Sequence, residues 1–435
     1  MVAHTDSFYA SLLPERALYA DPVPKSVDVV VLGGGLAGLS TAVAAVERGL
    51  SVVLCDSHRV GWGASGRNGG FVLPGFAEST STLVRQLGLE HGKALHDLSR
   101  EGCAWVEGRI AQAGTKDLIW GKGALSLVRH KMSRKDIDAD LEAEAALGDP
   151  VTYLDQTALQ AHVRSDRYHG GFLSQEGIHI NPLAYVELLA TQARQAGVVV
   201  LENTEISEVS KQGGSLRVRA GAAEIAARHV VFCGSGYQTG VGGAVKRAVL
   251  PVATYMCATQ SMPDTLTSVL PFAGCLSDTR RAGDYYRRGP DDRLLWGGRI
   301  TTRRSHPANL SASLRNDIAH VFPDLHDVPI DYTWMGLMGY CVHKMPLICD
   351  LGDGLWANTG FGGHGLNTTA IGGQIIAEAI SKETDRIRLF EPFKARWGGG
   401  ALGKIATQFI YWRMQAQDRA AEKGGRSKGY MSILM

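Results

Sequence analysis

Hydrophobic positions fall in two rhythms along this chain, and each rhythm predicts its own kind of element. From Val29 to Leu32 the apolar residues are continuous and largely β-branched, as in a strand buried on both faces. The chain then keeps small or apolar residues through Val46 and stops at Gly49, which predicts a helix closed by a glycine. A second short strand, Val52 to Cys55, ends on Asp56. Residues 96–165 are charged and helix-like, as in RKDIDADLEAEAAL. Within 181–210 a helix of apolar periodicity stops at Gly197 and gives way to a strand. The stretch HVVFCGSGYQT (229–239) is another buried strand running into a glycine turn. From about 250 to 335 the pattern alternates and is rich in aromatic residues and arginine, which predicts a mixed, largely antiparallel sheet. A strand, a glycine loop and a helix beginning near Asn367 fill 354–380, and a basic, aromatic helix covers 402–419. These patterns together give an α/β chain of two domains, one with buried strands and helices in turn, the other a mixed sheet.

Composition narrows what such a chain can do. With 45% hydrophobic and 20% charged residues, the 435-residue chain has the balance of a soluble enzyme. A net charge of +2 without strong charge blocks gives no reason to expect a nucleic-acid partner. Seven scattered cysteines without CxxC spacing argue against a disulfide framework or a metal site and fit a reducing cytoplasm. The N-terminal residues lack the apolar core of a signal peptide, and no apolar run is long enough for a spanning helix. The 53 glycines fall in clusters, which signals tight turns or backbone pressed close to something.

The first cluster supplies the chemistry. Gly33, Gly35 and Gly38 form G-x-G-x-x-G directly after the first strand, with Leu36 and Ala37 opening the helix. Gly33 permits the turn, Gly35 admits a diphosphate, and Gly38 lets helix and strand pack closely. Asp56, beside Ser57 and 23 positions after Gly33, is spaced to hold a ribose hydroxyl pair. The same glycine pattern recurs at Gly61/Gly63/Gly66, Gly360/Gly362/Gly365 and Gly398/Gly400/Gly403, so only its place in a complete βαβ unit makes the first one specific. A Rossmann-like, dinucleotide-binding domain follows. The stretch GWGASGRNGGF (61–71) bears on which dinucleotide, since a nicotinamide enzyme needs no second glycine loop there. A flat flavin ring is approached by backbone from several sides, with Ser65, Arg67, Asn68, Gly69 and Gly70 as the candidate contacts. The alternative for Arg67 is a surface-loop arginine in a salt bridge.

SFYASLLPE, GGGLAGLSTA, GWGASGRNGGF and GFGGHGLN, in this order, resemble the D-amino-acid oxidase/sarcosine oxidase superfamily of FAD enzymes, and ASGRNGG most resembles its gamma-glutamylputrescine oxidase branch. The resemblance covers nearly the whole chain. It implies a glutathione-reductase-like FAD domain assembled from 27–95, 165–250 and 340–400, a substrate domain from 96–164 and 251–339, and a C-terminal helical arm, 401–435. It further implies that Ile206 lies near the adenine, that Gly234 faces the diphosphate, and that Gly363, His364, Gly365, Leu366 and Asn367 face the flavin. Where sarcosine oxidase ends this loop on a lysine that helps hold a substrate carboxylate, Asn367 stands here, which favours a plain amine over an α-amino acid. No lysine stands near Leu294–Leu295, where that enzyme has its oxygen-activating lysine. Its covalent flavin cysteine aligns near Gly336, so FAD is expected to be non-covalent, with Cys341 the residue most able to overturn this.

The reaction so implied is oxidation of an amine C–N bond by hydride transfer to flavin N5. Hydrolysis of the imine and reduction of oxygen to hydrogen peroxide would follow. Tyr285, Tyr286 and Trp334 are the candidate substrate contacts with Asn367, and His343, His364 and Arg67 the candidate catalytic groups. For the aromatics and His343 a place in the core remains the alternative, and for His364 a capping role. Two rivals stand: an amino-acid oxidase or dehydrogenase passing electrons to a quinone, and a flavin-binding subunit without catalysis. Helix 402–419 either lies on a bilayer or, the reading preferred, packs on the protein's own surface.

Overall fold

The computed structural model describes residues 3–280 and 283–424. Val29, Val30 and Val31 are fully buried, as their unbroken apolar run requires, and their strand, Ser26–Leu32, lies inside an eight-stranded sheet. It runs parallel to Val52–Cys55 on one side and to Ala223–Phe232 on the other. Val199–Leu201 and Leu355–Thr359 continue the parallel run outward. Leu347–Gly352 and the hairpin Ile206–Gln212/Ser215–Ala220 add antiparallel edges. The chain leaves Ser26–Leu32 towards one side of the sheet and arrives at Ala223–Phe232 on the other, so a crevice opens at the carboxyl ends between them.

Helices Leu36–Val46, Leu89–Gln112 and Leu366–Ser381 contribute to the largest core cluster, with this sheet. Their crossings depend on small residues. A Cβ on Gly373 would come within 2.6 Å of the Ser40–Thr41 backbone, and one on Gly102 within 2.3 Å of the Asn367 carbonyl.

The second sheet has nine strands. Ile330–Tyr340, Leu250–Thr259, Leu294–Thr301, Tyr285–Arg288 and Cys275–Asp278 lie side by side, all antiparallel, as the alternating pattern predicts. Cys275–Asp278 then pairs in parallel with Ile119–Val128, and Gly170–Ile180, Phe71–Val72 and Thr152–Asp155 complete the sheet. Trp296, Tyr286 and Phe322 centre its core.

Three stretches lie across the boundaries drawn from sequence. Phe71–Val72 and Gly170–Ile180 belong to the second sheet, because the latter pairs along its length with Ile119–Val128 and its His179 and Ile178 pair Phe71 and Val72. Helix Leu89–Gln112, most of it assigned to the substrate domain, buries Leu95, Leu98, Val106 and Ile110 in the first core. The charged run that followed in the sequence also hides the strand Ile119–Val128. The C-terminal arm is a helix, Gly400–Gly424; its continuation, 425–435, lies outside the described residues.

Candidate functional site

A cavity of about 510 Å³ opens where the carboxyl edge of the parallel strands meets the second sheet. One wall is the start of helix Leu36–Val46, with Gly35, Leu36 and Ala37. Cys233 and Ser235 border it beyond the strand Ala223–Phe232. Gly363, His364, Gly365 and Leu366 close it from the second glycine loop, and Thr254, Ser277, Tyr285, Gly336 and Met338 from the second sheet.

Ser65, Arg67, Asn68, Gly69 and Gly70 form the remaining inner wall. Ser65 Oγ accepts the Leu36 N–H at 2.9 Å, so this loop caps the helix end. Asn68 is spent on the loop itself: Nδ2 donates to the Ser65 carbonyl at 2.8 Å and Oδ1 accepts from Gly70 N–H at 2.8 Å. Much of the bare backbone here serves the protein rather than a ligand. A Cβ on Gly66 would come within 2.3 Å of the Gly61 carbonyl, and Gly70, at φ +75°, lies against the Ile180 carbonyl and the Arg287 guanidinium.

Arg67 differs from its neighbours. It is 9% exposed, its guanidinium lies 4.4 Å from the Trp62 ring, and Nη1 donates to the Met335 carbonyl at 3.2 Å. Nε and Nη2 are buried with no acceptor among the described residues, so a cation on the cavity wall is left with hydrogen bonds to make. His364 Nε2 lies 3.1 Å from the Leu73 carbonyl. A carbonyl only accepts, so Nε2 holds the proton, and burial lowers the ring's pKa and keeps it neutral. The ring thereby ties the two glycine loops together. The Tyr285 phenol, pushed up by burial, stays protonated, with its oxygen 3.4 Å from Thr254 Oγ1.

Several expected site residues do not reach the cavity, and each has a physical reason. Tyr286 follows Tyr285 on one strand and so faces the opposite way, stacked at 4.5 Å on Trp296 with its oxygen 2.9 Å from that of Tyr168. Trp334 is buried behind the wall and donates its indole N–H to the Arg67 carbonyl at 2.9 Å. His343 lies beyond the end of strand Ile330–Tyr340, where it accepts the Met345 N–H at 3.2 Å and packs on Phe393. Asn367 turns into the protein and donates to the Gly75 and Ser99 carbonyls at 3.0 and 3.3 Å. Its amide is therefore taken up by the protein itself rather than offered to the cavity. Cys341 is buried with its sulfur towards Gly360, away from the cavity wall.

The remaining expected cofactor contacts lie off the cavity wall. Gly33, at φ +114°, makes the turn, and a Cβ on Gly38 would come within 1.8 Å of the Gly33 carbonyl. Asp56 accepts N–H groups from Gly34 at 2.6 Å and His58 at 2.7 Å, with burial raising its pKa. Ser57 Oγ meets His58 Nδ1 at 3.0 Å, Ile206 is buried at the start of its strand, and Gly234 packs against Gln238.

Sequence reasoning missed the cavity's outer lobe entirely. Glu78, Glu144, Asp149 and Glu176 line it with His96. Asp149 bonds His96 Nε2 at 2.6 Å and Arg100, which also meets Glu176 at 3.0 Å; Lys344 lies 3.5 Å from Glu78. Glu144 has its carboxyl pushed up to about 7, first by burial and then by the charge of Asp149. These residues come from four separate chain segments, so no local motif announces them.

Comparison with known proteins gives a consistent picture. The family model described as "FAD dependent oxidoreductase" matches residues 28–379. The gamma-glutamylputrescine oxidoreductase of Escherichia coli K12 is 29% identical over 90% of this chain and 92% of its own. Among solved structures, glycine oxidase from Geobacillus kaustophilus superposes with a TM-score of 0.70 at 20% identity, over 86% of this chain and 99% of its own. L-Proline dehydrogenase from P. horikoshii also reaches 0.70, at 16% identity, over 86% of this chain and all of its own. These two likenesses concern the fold.

Proposed function

The chain belongs to the family of FAD-dependent oxidoreductases, enzymes with relatives acting on amines and amino acids, and on that premise we propose that it oxidises a C–N bond of an amine bearing a second positive charge, of the gamma-glutamylputrescine kind. The observation that carries this reading is the lining of the cavity, which holds a buried cation in no ion pair among the described residues, Arg67, and a cluster of acids in which Glu144 alone has no ion-pair partner. The name of the Escherichia coli relative points to gamma-glutamylputrescine, an amine whose far end carries an α-ammonium beside an α-carboxylate.

The residues present fit FAD. Arg67 has two buried nitrogens without acceptors, and the helix end at Gly35–Ala37 opens on the same cavity. We assign Gly35, Leu36 and Ala37 to the diphosphate, Asp56 to the ribose, and Arg67, Asn68–Gly70 and Gly363–Leu366 to the flavin. Non-covalent attachment is in keeping with Cys341 facing away. When bound, FAD supplies a two-electron acceptor.

The chain's own residues do the rest by position. Tyr285 offers a protonated phenol and an aromatic face to the amine, and its burial among apolar groups favours the neutral amine that must react. Neutral His364 keeps the two glycine loops in register over the reacting end. Glu144, the one carboxyl of this cluster in no ion pair among the described residues, holds the second ammonium away from it. Water then hydrolyses the imine to an aldehyde. Oxygen is the expected electron acceptor, giving hydrogen peroxide, and the cytoplasm the expected compartment, since all seven cysteines are free.

Anaerobic bleaching of the flavin absorbance tests the reading, with gamma-glutamylated amines, free polyamines, sarcosine, pipecolate and D-amino acids as the panel. Rapid bleaching by a glutamylated or free diamine, with colour restored by air, is the expected result. Bleaching by amino acids alone would replace the substrate class, and bleaching by none would leave a flavin-binding subunit. A second reading, transfer of electrons to a membrane quinone, is favoured by one observation, the outward apolar face of the C-terminal helix.

A further inference from the structure

Helix Gly400–Gly424 turns its apolar side away from the protein. Leu402, Ile405, Phe409, Ile410 and Trp412 are 50% to 73% exposed, and Trp397 just before the helix is 68% exposed. Leu402, Ile405, Phe409 and Trp412 fall within an arc of about 80° on the helix, and Tyr411 and Asp418 on the opposite side face the protein. The helix packs on the body through Tyr411, Gln408 and Glu422, and its other apolar residues form a continuous outward strip.

The charge around the strip has one sign. Residues 392–417 contain Lys394, Arg396, Lys404 and Arg413 and no carboxylate. Two more cations adjoin the same surface. Arg247 accepts the Gly398 N–H on its carbonyl at 2.8 Å, and Arg303 follows Thr302, whose N–H donates to Gln408 at 3.0 Å. Among the described residues none of these six cations is in an ion pair.

We propose that this face docks on an anionic membrane surface, with the strip lying in the headgroup region and the cations on lipid phosphates. The composition is that of an interfacial helix, with Trp412 and Phe409 on one side and basic residues around them. The helix does not cross: none among the described residues is long and apolar enough for that. A second copy of the chain is the poorer occupant, because a two-fold contact through this strip would set like charges against each other.

The test is co-sedimentation of the full-length, FAD-loaded protein with vesicles of phosphatidylcholine alone and of phosphatidylcholine with phosphatidylglycerol. Binding to the phosphatidylglycerol vesicles is expected, weakened by salt, with the tryptophan emission quenched by brominated acyl chains. Lys404→Gln with Arg413→Gln should weaken binding about fivefold per cation removed. Phe409→Ser with Trp412→Ser should weaken it by about tenfold or more. Flavin content and amine turnover with a soluble acceptor should be unchanged in both, which separates this inference from the substrate reading. The proposal is overturned if the unaltered protein fails to bind phosphatidylglycerol vesicles at low salt, or if neither double variant weakens binding. It is equally overturned if sedimentation velocity finds a dimer that the Phe409/Trp412 variant dissolves while no vesicle binding is seen. Should that variant lose its flavin, the charge variant and the quenching of the unaltered protein decide the matter.

Discussion

The two ends of the cavity carry charge in opposite ways. At the outer lobe Asp149, Glu176 and Glu78 are answered by Arg100 and Lys344, so most of that charge is balanced within the protein. At the inner end Arg67 is buried and meets no carboxylate among the described residues, only a carbonyl and the faces of Trp62 and Tyr237. A balanced group is stable in the empty protein; an unbalanced one costs stability until something arrives to answer it. On the reading proposed above, a ligand would complete the inner end, and a substrate would extend past the acid cluster.

Removing Arg67 should break this contrast most severely. Arg67→Met is expected to lower FAD affinity or amine turnover by about a hundredfold, the loss of one or two hydrogen bonds to a charged group. It should at the same time raise the melting temperature of the flavin-free protein, because an unpaired buried cation is gone. Arg67→Lys should restore part of the function. Flavin absorbance, stopped-flow reduction and thermal melts of both forms check this, and a flavin-free protein that melts lower would show that Arg67 is structural.

A smaller effect is expected at Glu144, the outer carboxyl whose burial holds its pKa near 7. Below that pH it is neutral and gives a cationic substrate no partner; above it the carboxylate forms. KM for a diamine should therefore fall as pH rises through about 7, and Glu144→Gln should remove that step while raising KM by about tenfold at pH 8. Deprotonation of the amine itself is common to both proteins and cancels in the comparison. A pH profile of KM identical in the two would place the second ammonium elsewhere.

How much of this was legible in the sequence depended on how local the cause was. The βαβ unit could be read because one contiguous stretch contains the strand, the glycine turn, the helix and Asp56. The glycine loop at 61–71 was placed on the cavity, yet part of its glycine content answers Gly61, Ile180 and Arg287, partners invisible until the chain is folded. Gly170–Ile180 was put in the wrong sheet because pairing with Ile119–Val128 is a contact at long range. The acid lobe, assembled from Glu78, Glu144, Asp149 and Glu176, had no local signature at all. The apolar strip of the last helix was visible as composition, but its outward direction was not, since a helical period fixes one face without saying which way it looks.

The adjacent tyrosines give the smallest and most precise test of the comparison between cavity and core. Tyr285 faces the cavity and Tyr286 the core, although they are neighbours of the same type on one strand. Tyr286→Phe removes a hydrogen bond of 2.9 Å with Tyr168 and leaves that buried hydroxyl unpaired, while keeping the stack on Trp296. It should cost about 1 kcal/mol of stability and leave kcat and KM unchanged. Tyr285→Phe loses only a long contact with Thr254, so its melting point should barely move, while amine turnover falls by a few-fold through the lost hydroxyl at the reacting end. Thermal melts and steady-state kinetics on the pair check this directly. If both variants changed turnover and neither changed stability, the alternation of this strand would have been misassigned, and the wall of the cavity with it.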